Sequence, residues 1–450
     1  MEEKTLHILE YDKIIERLAD FATSSAGREL CLRLKPASDL KHIRLWQDNT
    51  SDAKDRIRLR GQAPSFSGIK DIGESLKRVE VSGALSAHEL LSVSTVLSVA
   101  ARAKQYGRMS DDGDEERQDS LSEMFSLLEP LTNVNNEIKR CILSEDEIAD
   151  DASPELFSVR KKMKQTAERI HGSINGLLNT YRDYLTDSVV TQRDGRYCLP
   201  VKAEYKSRVP GMVHDTSSTG MTLFIEPMMI VNLNNDLSEL MGEEKKEIEK
   251  VLEKLSLSLV PYTVEISEDV KILRRLDMIF AKAKYSYELS ACEPVFSKDR
   301  KMDLKSARHP LIPKDRVVPI DISIGEDFDL LIITGPNTGG KTVSLKTAGL
   351  LTLMGQAGLH IPADEGSVLG IFDEVYADIG DEQSIEQSLS TFSAHMRNIV
   401  DILSKADAHS LCLFDELGSG TDPTEGAALA MAVLEFLRRM QTRTMATTHY

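Results

Sequence analysis

The sequence predicts an α plus α/β protein: a helical core, long lever-like helices carrying a small β unit, and a C-terminal α/β domain. Three observations predict it. An apolar seam with spacings of three and four runs from Leu156 to Leu185. The period then changes to two in SVVTQRDGRYCLPVKAEY. Finally, DLLIITGPNTGGKT sets an all-apolar strand, of the kind buried on both faces of a parallel sheet, directly before a glycine-rich turn.

The chain has 450 residues, enough for two or three domains with a sizeable core. A formal net charge of −17 argues against a protein that coats nucleic acid throughout, but leaves room for a local basic patch. One Trp and 5% aromatics argue against a base-stacking surface for single strands. The acidic start, MEEKTLHILEYDK, is unlike a signal peptide, and no run of 18 or more apolar residues occurs. Cys31, Cys141, Cys198, Cys292 and Cys412 have no metal-binding spacing and read as thiols of a reducing compartment. A cytoplasmic protein without membrane partners is expected.

The elements follow in order. Residues 1–150 read as the helical core, with LEYDKIIERLADFA, SSAGRELCLRLK behind a serine cap, and LSAHELLSVSTVLSVAARAKQ. The acidic stretch at 107–120 has no periodicity and reads as a solvated loop. Residues 151–290 read as the levers. Ser153-Pro154-Glu155 is a helix start: a cap, a proline at the first position and a carboxylate at the positive dipole end. The seam Leu156, Val159, Met163, Ala167, Ile170, Ile174, Leu177, Tyr181, Leu185 predicts one helix of roughly 50 Å. Asp194-Gly195 then marks a hairpin, and MTLFIEP a strand closed by Pro227. A second long helix is expected from Val231 until Pro261, and a third over SEDVKILRRLDMIFAKAKYSYEL. The α/β domain takes residues 291–450.

The motifs in this last domain carry chemistry. Gly335, Pro336, Asn337, Thr338, Gly339, Gly340, Lys341 and Thr342 fit G-x-x-x-x-G-K-[ST] between a strand and a helix. Glycines let backbone N–H groups turn toward phosphates, and the helix N-terminus adds positive potential. Lys341 is expected to reach the β and γ phosphates of ATP, and the Thr342 hydroxyl to take a Mg²⁺ position. In SLCLFDELGSGTDP an apolar strand ends in Asp415, expected to hold Mg²⁺ through water, and Glu416, expected to polarise the attacking water. TRTMATTHY supplies a further strand ending in His449, placed to sense the γ-phosphate. The FDE at 372–374 lacks a long apolar strand before it and reads as surface. Elsewhere, Arg193, Arg196, Lys202, Lys206 and Arg208 fall within sixteen residues, against only Asp194 and Glu204. A period-two strand pair would set some of them on one face, beside Tyr197 and Tyr205. Two readings of them stay open: a solvated hairpin balancing carboxylates, or a surface that grips nucleic-acid phosphates.

SLSTFSAHM, residues 388–396, lies between the phosphate loop and the Asp-Glu strand. That order resembles ABC-type P-loop ATPases, in which such a hydroxyl-rich segment caps the nucleotide of a second subunit. The resemblance implies that Ser390 acts on a partner's ATP. More closely, GPNTGGKT, the STF at 390–392, FDELGSGT and TTHY look like the four ATPase motifs of the MutS family, and ARHPLI at 307–312 resembles that family's lead-in to the ATPase domain. The chain begins directly with the helical core, as in the MutS-II branch. LEYDKIIERLADFA and DGRYCLPVKAEYKSRVPGMVHDTSSTGMTLFIEP add branch-level likeness.

The resemblance implies a homodimeric, ATP-hydrolysing clamp that uses ATP and Mg²⁺. Asn337 would contact the γ-phosphate or water, the 418–421 turn would lie at the dimer interface, and residues 187–228 would form the clamp that touches nucleic acid. Branch members run on through more ATPase domain to an Smr nuclease domain, so the ATPase domain is expected to be incomplete at Tyr450 and endonuclease activity to reside outside this chain. Two functions follow from the resemblance: binding of branched DNA to suppress recombination, or ribosome quality control, in which collided ribosomes are sensed, through rRNA contacts, and split using ATP.

Overall fold

The computed structural model describes residues 1–108, 118–335, 339–380 and 388–449. The chain divides into two compact units. One comprises Met1–Asp71, Ser98–Pro130 and Glu268–Tyr450; the other comprises Ile72–Leu97 and Leu131–Ser267. Most of the acidic stretch, 109–117, lies outside the described residues. Among the described residues no helix is long and apolar enough to cross a membrane.

In the second unit the helices Pro154–Thr180 and Val231–Leu259 pack along one another. The Ser153 hydroxyl accepts the Leu156 N–H at 3.1 Å, with Pro154 in the first turn, so the predicted cap forms. The helix is shorter than its seam. It stops at Thr180, and its 27 residues span about 40 Å at a rise of about 1.5 Å per residue. Arg182–Tyr184 makes a 3₁₀ turn and Leu185 turns extended, bridging to Val201. The seam continues past the helix because Leu185 stays buried, now among Leu199, Val201, Val209 and Ile225 of the β unit. Pro261 likewise ends the second helix, inside the 3₁₀ turn Val260–Tyr262. The third helix starts at Thr263, one turn ahead of the SEDVK run.

The β unit has four antiparallel strands in the order Thr191–Arg193, Arg196–Lys202, Thr222–Pro227, Gly211–Thr216. Asp194 and Gly195 both have positive φ (48° and 76°) between the paired residues Arg193 and Arg196, which makes the two-residue hairpin turn that Asp-Gly favours. The edge strand Gly211–Thr216 was not legible, because nearly all its residues are exposed and no alternation marks it. Beside its apolar core the unit buries a polar cluster. Glu226 is fully buried and accepts from Arg196 Nη1 at 2.7 Å and Asn234 Nδ2 at 2.8 Å, with His214 Nε2 at 2.5 Å from its other oxygen.

The first unit holds a parallel sheet in the order Leu330–Thr334, Arg443–Thr448, Ser410–Phe414, Glu374–Asp378. The strand Leu330–Thr334 was expected to be covered on both faces. It is parallel but stands at the sheet edge among the described residues, and Ile332 is 47% exposed. An apolar run reports the character of a strand, not how many neighbours it has. A mixed sheet of Val295–Ser297, Val368–Gly370, Met302–Ala307 and Ile320–Ile324 adjoins the same core.

The helix Lys341–Gln356 is buried along most of its length, its apolar residues packed in that core. Its last carbonyls are met by backbone N–H groups, Ala357 on Leu353 O, Leu359 on Met354 O and Ala37 on Gln356 O, and side chains secure the turn that follows. Gln47 Nε2 donates to Gly355 O at 2.8 Å and to Leu359 O at 2.9 Å, and Lys282 Nζ donates to Ala357 O at 2.7 Å. Burial pushes the Lys282 ammonium down to about 7, and its place at a helix C-terminus gives it a negative dipole end to face.

Candidate functional site

All four strands of the parallel sheet end at one place, and the site is built from what leaves them. From Thr334 the chain passes Gly335, at φ 134°, and re-emerges at Gly339 and Gly340, where φ is 81°. A Cβ at Gly335, Gly339 or Gly340 would meet nothing within 4 Å, so backbone angle, not crowding, calls for glycine at Gly335 and Gly340. Pro336, Asn337 and Thr338 lie outside the described residues. Among the described residues no side chain caps Gly340, so the helix N-terminus that begins at Lys341 is open to an anion. Lys341 is only 5% exposed, and its Nζ donates to Thr448 O at 3.4 Å, at the end of the neighbouring strand.

Thr342 and Asp415 are brought together: the Thr342 hydroxyl donates to Asp415 Oδ2 at 2.6 Å. The other Asp415 oxygen accepts from the Thr447 hydroxyl. Thr447 Oγ1 in turn accepts the Glu416 N–H at 2.8 Å, and Thr447 O accepts the Leu417 N–H at 2.9 Å. One threonine thus holds the backbone and side chain of the Asp-Glu pair. Glu416 itself sits at φ 50°, a left-handed conformation that costs a non-glycine residue about 1–3 kcal/mol and persists where the surroundings hold it. His449 Nε2 is 3.4 Å from Glu416 Oε1. A hydroxyl and a carboxylate are hard oxygen donors of the kind Mg²⁺ takes, with water and phosphate oxygens completing its shell. Among the described residues no group of three or more His, Cys, Asp or Glu could hold a metal, so a cation at Thr342 and Asp415 would depend on such added oxygens.

The FDE carboxylates stand ahead of a strand and not after one, as expected: Asp373 is exposed and the strand begins only at Glu374, while Phe372 is buried. Glu374 pairs with the Met1 amine at 2.8 Å, at the strand's start. The carboxylate at the site is Asp378, at the strand's other end. Asp378 O accepts the Asp415 N–H at 2.9 Å, and Asp378 Oδ2 lies 3.0 Å from His395 Nδ1. Sequence reasoning missed Asp378, His395 and Thr447. The signal for Thr447 is its place beside His449 in TTHY; Asp378 and His395 carry none that is local.

The hydroxyl-rich segment opens a helix, Ser388–Lys405, but the Ser390, Thr391 and Phe392 side chains lie outside the described residues. A cleft of about 620 Å³ adjoins Thr342, lined also by His309, Leu311, Ile312, Val343 and Lys346. Burial pushes the His309 imidazole down to about 4, so it is neutral at physiological pH.

The basic cluster belongs to the other unit and divides in two. Arg196 is turned inward, onto Glu226 and Asn235 Oδ1 at 2.7 Å. Arg193 pairs with Asp215 at 3.0 Å and stacks 4.0 Å over Phe224. Lys202 donates to Asp183 O at 3.1 Å. Lys206 and Arg208 are exposed, but on the 3₁₀ segment Ala203–Arg208 and not on a strand. Arg193 and Arg196, directly paired, and Lys202, six residues along the same strand, share one face as expected, while Lys206 and Arg208 fall beyond the strand end at Lys202.

The profile of MutS domain V matches residues 331–450. The chain is 56% identical to an "Endonuclease MutS2" of Lachnoclostridium phytofermentans, covering 100% of this chain and 57% of the relative. Proteins of the same name from Agathobacter rectalis and Acetivibrio thermocellus are 56% and 51% identical, again over 100% of this chain and 57% of theirs. The chain therefore spans little more than half the length of the curated relatives it matches. With the domain profile over its phosphate loop and paired carboxylates, and near or above half identity along its whole length, the chain belongs to the MutS family and is of the MutS2 type.

Proposed function

We propose that this chain is the ATP-hydrolysing, nucleic-acid-gripping part of a homodimeric clamp of the MutS2 type. The observation that carries the reading is the Thr342–Asp415 hydrogen bond, which joins the end of the phosphate loop to the paired carboxylates. In this reading residues 291–450 form a P-loop head of ABC type, 151–290 the lever helices with the clamp at about 187–228, and 1–150 the helical core. Lys341 and the loop N–H groups bind the triphosphate, and Thr342 and Asp415 hold Mg²⁺. Bound there, Mg²⁺ supplies neutralising charge for the phosphates. Glu416 accepts a proton from the attacking water, His449 orients Glu416, and Ser390 completes the partner's site. The gripped ligand in this reading is DNA, branched or duplex, a nucleic acid being what an endonuclease such as the relatives are named for acts on.

The exposed pair Lys206 and Arg208 grips the phosphates, in place of the inward-turned Arg196. Replacing both by Ala is expected to flatten the log K versus log salt slope on duplex DNA by about 2, roughly one unit for each phosphate that is no longer neutralised. Basal ATP turnover should stay as it was. Lys341→Ala should do the reverse, losing ATP binding with the DNA salt slope unchanged. An unaltered slope in the double variant would move the nucleic-acid surface away from this β unit.

A further inference from the structure

Asp378 is 5% exposed and does two things at once. Its backbone carbonyl takes the Asp415 N–H, and its carboxylate takes the helix Ser388–Lys405 through two residues three apart on one face, His395 Nδ1 at 3.0 Å and Asn398 Nδ2 at 2.7 Å. Asn398 also donates to Ala377 O at 3.3 Å, so the same helix face grips the strand backbone. The seat of the imidazole is shaped for it. A Cβ on Gly380 would come within 2.9 Å of His395 Cε1, so no larger residue fits there without displacing the ring. Asp378, His395, Asp415, Glu416 and Ser419 line one side of a cavity of about 20 Å³, room for one water, whose other walls include the apolar Met396, Ile399, Leu417 and Leu429. The Asp378 hydrogen bond holds the His395 imidazole above its ordinary range, which strengthens the tie.

The geometry points to Asp378 and His395 as positioning residues for hydrolysis: they latch the helix that begins with the hydroxyl-rich segment to the strand end that fixes the Asp415 backbone. His395 lies five residues beyond Ser390 on that helix, about 7.5 Å along its axis. A shift of the helix is therefore felt both at the residue offered to a partner's nucleotide and at the subunit's own carboxylates. The inference rests on the ATP-hydrolysis reading above.

The test is steady-state ATP turnover and equilibrium ATP binding of the full chain and three variants. His395→Leu is expected to lower kcat on the order of tenfold, since a misplacement of about 1 Å can cost up to about 10²-fold, while KM and the ATP Kd move by less than about threefold. His395→Asn, whose Nδ2 can replace Nδ1 as donor, should recover most of the loss. A residue that merely filled the core would lower thermal stability and leave kcat of the folded protein alone. If His395→Leu does not fold, the near-isosteric Asp378→Asn carries the test, with the same expected fall in kcat. Wild-type kcat in either folded variant, or no recovery with Asn, overturns the latch. Absence of ATP turnover in the wild-type chain overturns the ATPase reading itself, and the latch with it.

Discussion

Glu416→Gln is expected to bind ATP as the wild type does and to turn it over ~10² to 10⁴ times more slowly, the usual cost of losing a positioned proton acceptor. The substitution keeps the size and the hydrogen-bonding shape of the side chain. The backbone N–H to Thr447 Oγ1 and the strained φ of 50° are untouched, so the site's architecture is kept. Nothing in the proposed phosphate contacts, Lys341 and the loop amides, involves the Glu416 side chain, which is why binding should survive. Single-turnover hydrolysis with a pre-bound nucleotide separates the two quantities. A rate near wild type would assign water activation to another group, and Asp378 beside the same small cavity would be the first to test.

Glu226→Ala carries the second large effect, on stability. Glu226 is wholly buried in the β unit and accepts from Arg196 and Asn234, with His214 on its second oxygen. Removing it leaves the part-buried Arg196 guanidinium without its carboxylate, Asn235 Oδ1 remaining as a side-chain partner. Breaking one side of such a buried pair typically costs about 3–5 kcal/mol. The β unit should therefore melt before the rest of the chain, seen as early amide exchange over 191–227 and early proteolysis there. Lys206→Ala, exposed and on a 3₁₀ turn, should change stability by less than about 0.5 kcal/mol. Equal exchange protection in Glu226→Ala and wild type would show that the cluster is dispensable to the sheet.

The same residues show what the sequence could and could not reveal. The phosphate loop, the Asp-Glu strand end and the Asp194-Gly195 turn were legible because each is a local requirement: a backbone angle, or a short run feeding a turn. Long-range pairing was not. Asp378 and His395 are seventeen residues apart on different elements, and only folding brings the carboxylate to the imidazole. Glu226 reads as an ordinary polar position in MTLFIEP until Arg196 and Asn234 close on it. Leu185 extended the apparent helix because periodicity reports burial, and burial there comes from a sheet. The basic cluster was visible as composition, but which members face inward depends on carboxylates that approach from other strands.

The central claim is that two copies of the chain build each ATP site together, with Lys341 from one and Ser390 from the other. It is tested most directly by mixing. Ser390→Ala and Lys341→Ala, each impaired alone, form heterodimers in which one site lacks both groups and the other is intact. With subunit exchange verified by a labelled subunit, ATP turnover of the mixture should rise above that of either variant. Turnover that stays at the level of the variants, with exchange complete, would contradict a shared site.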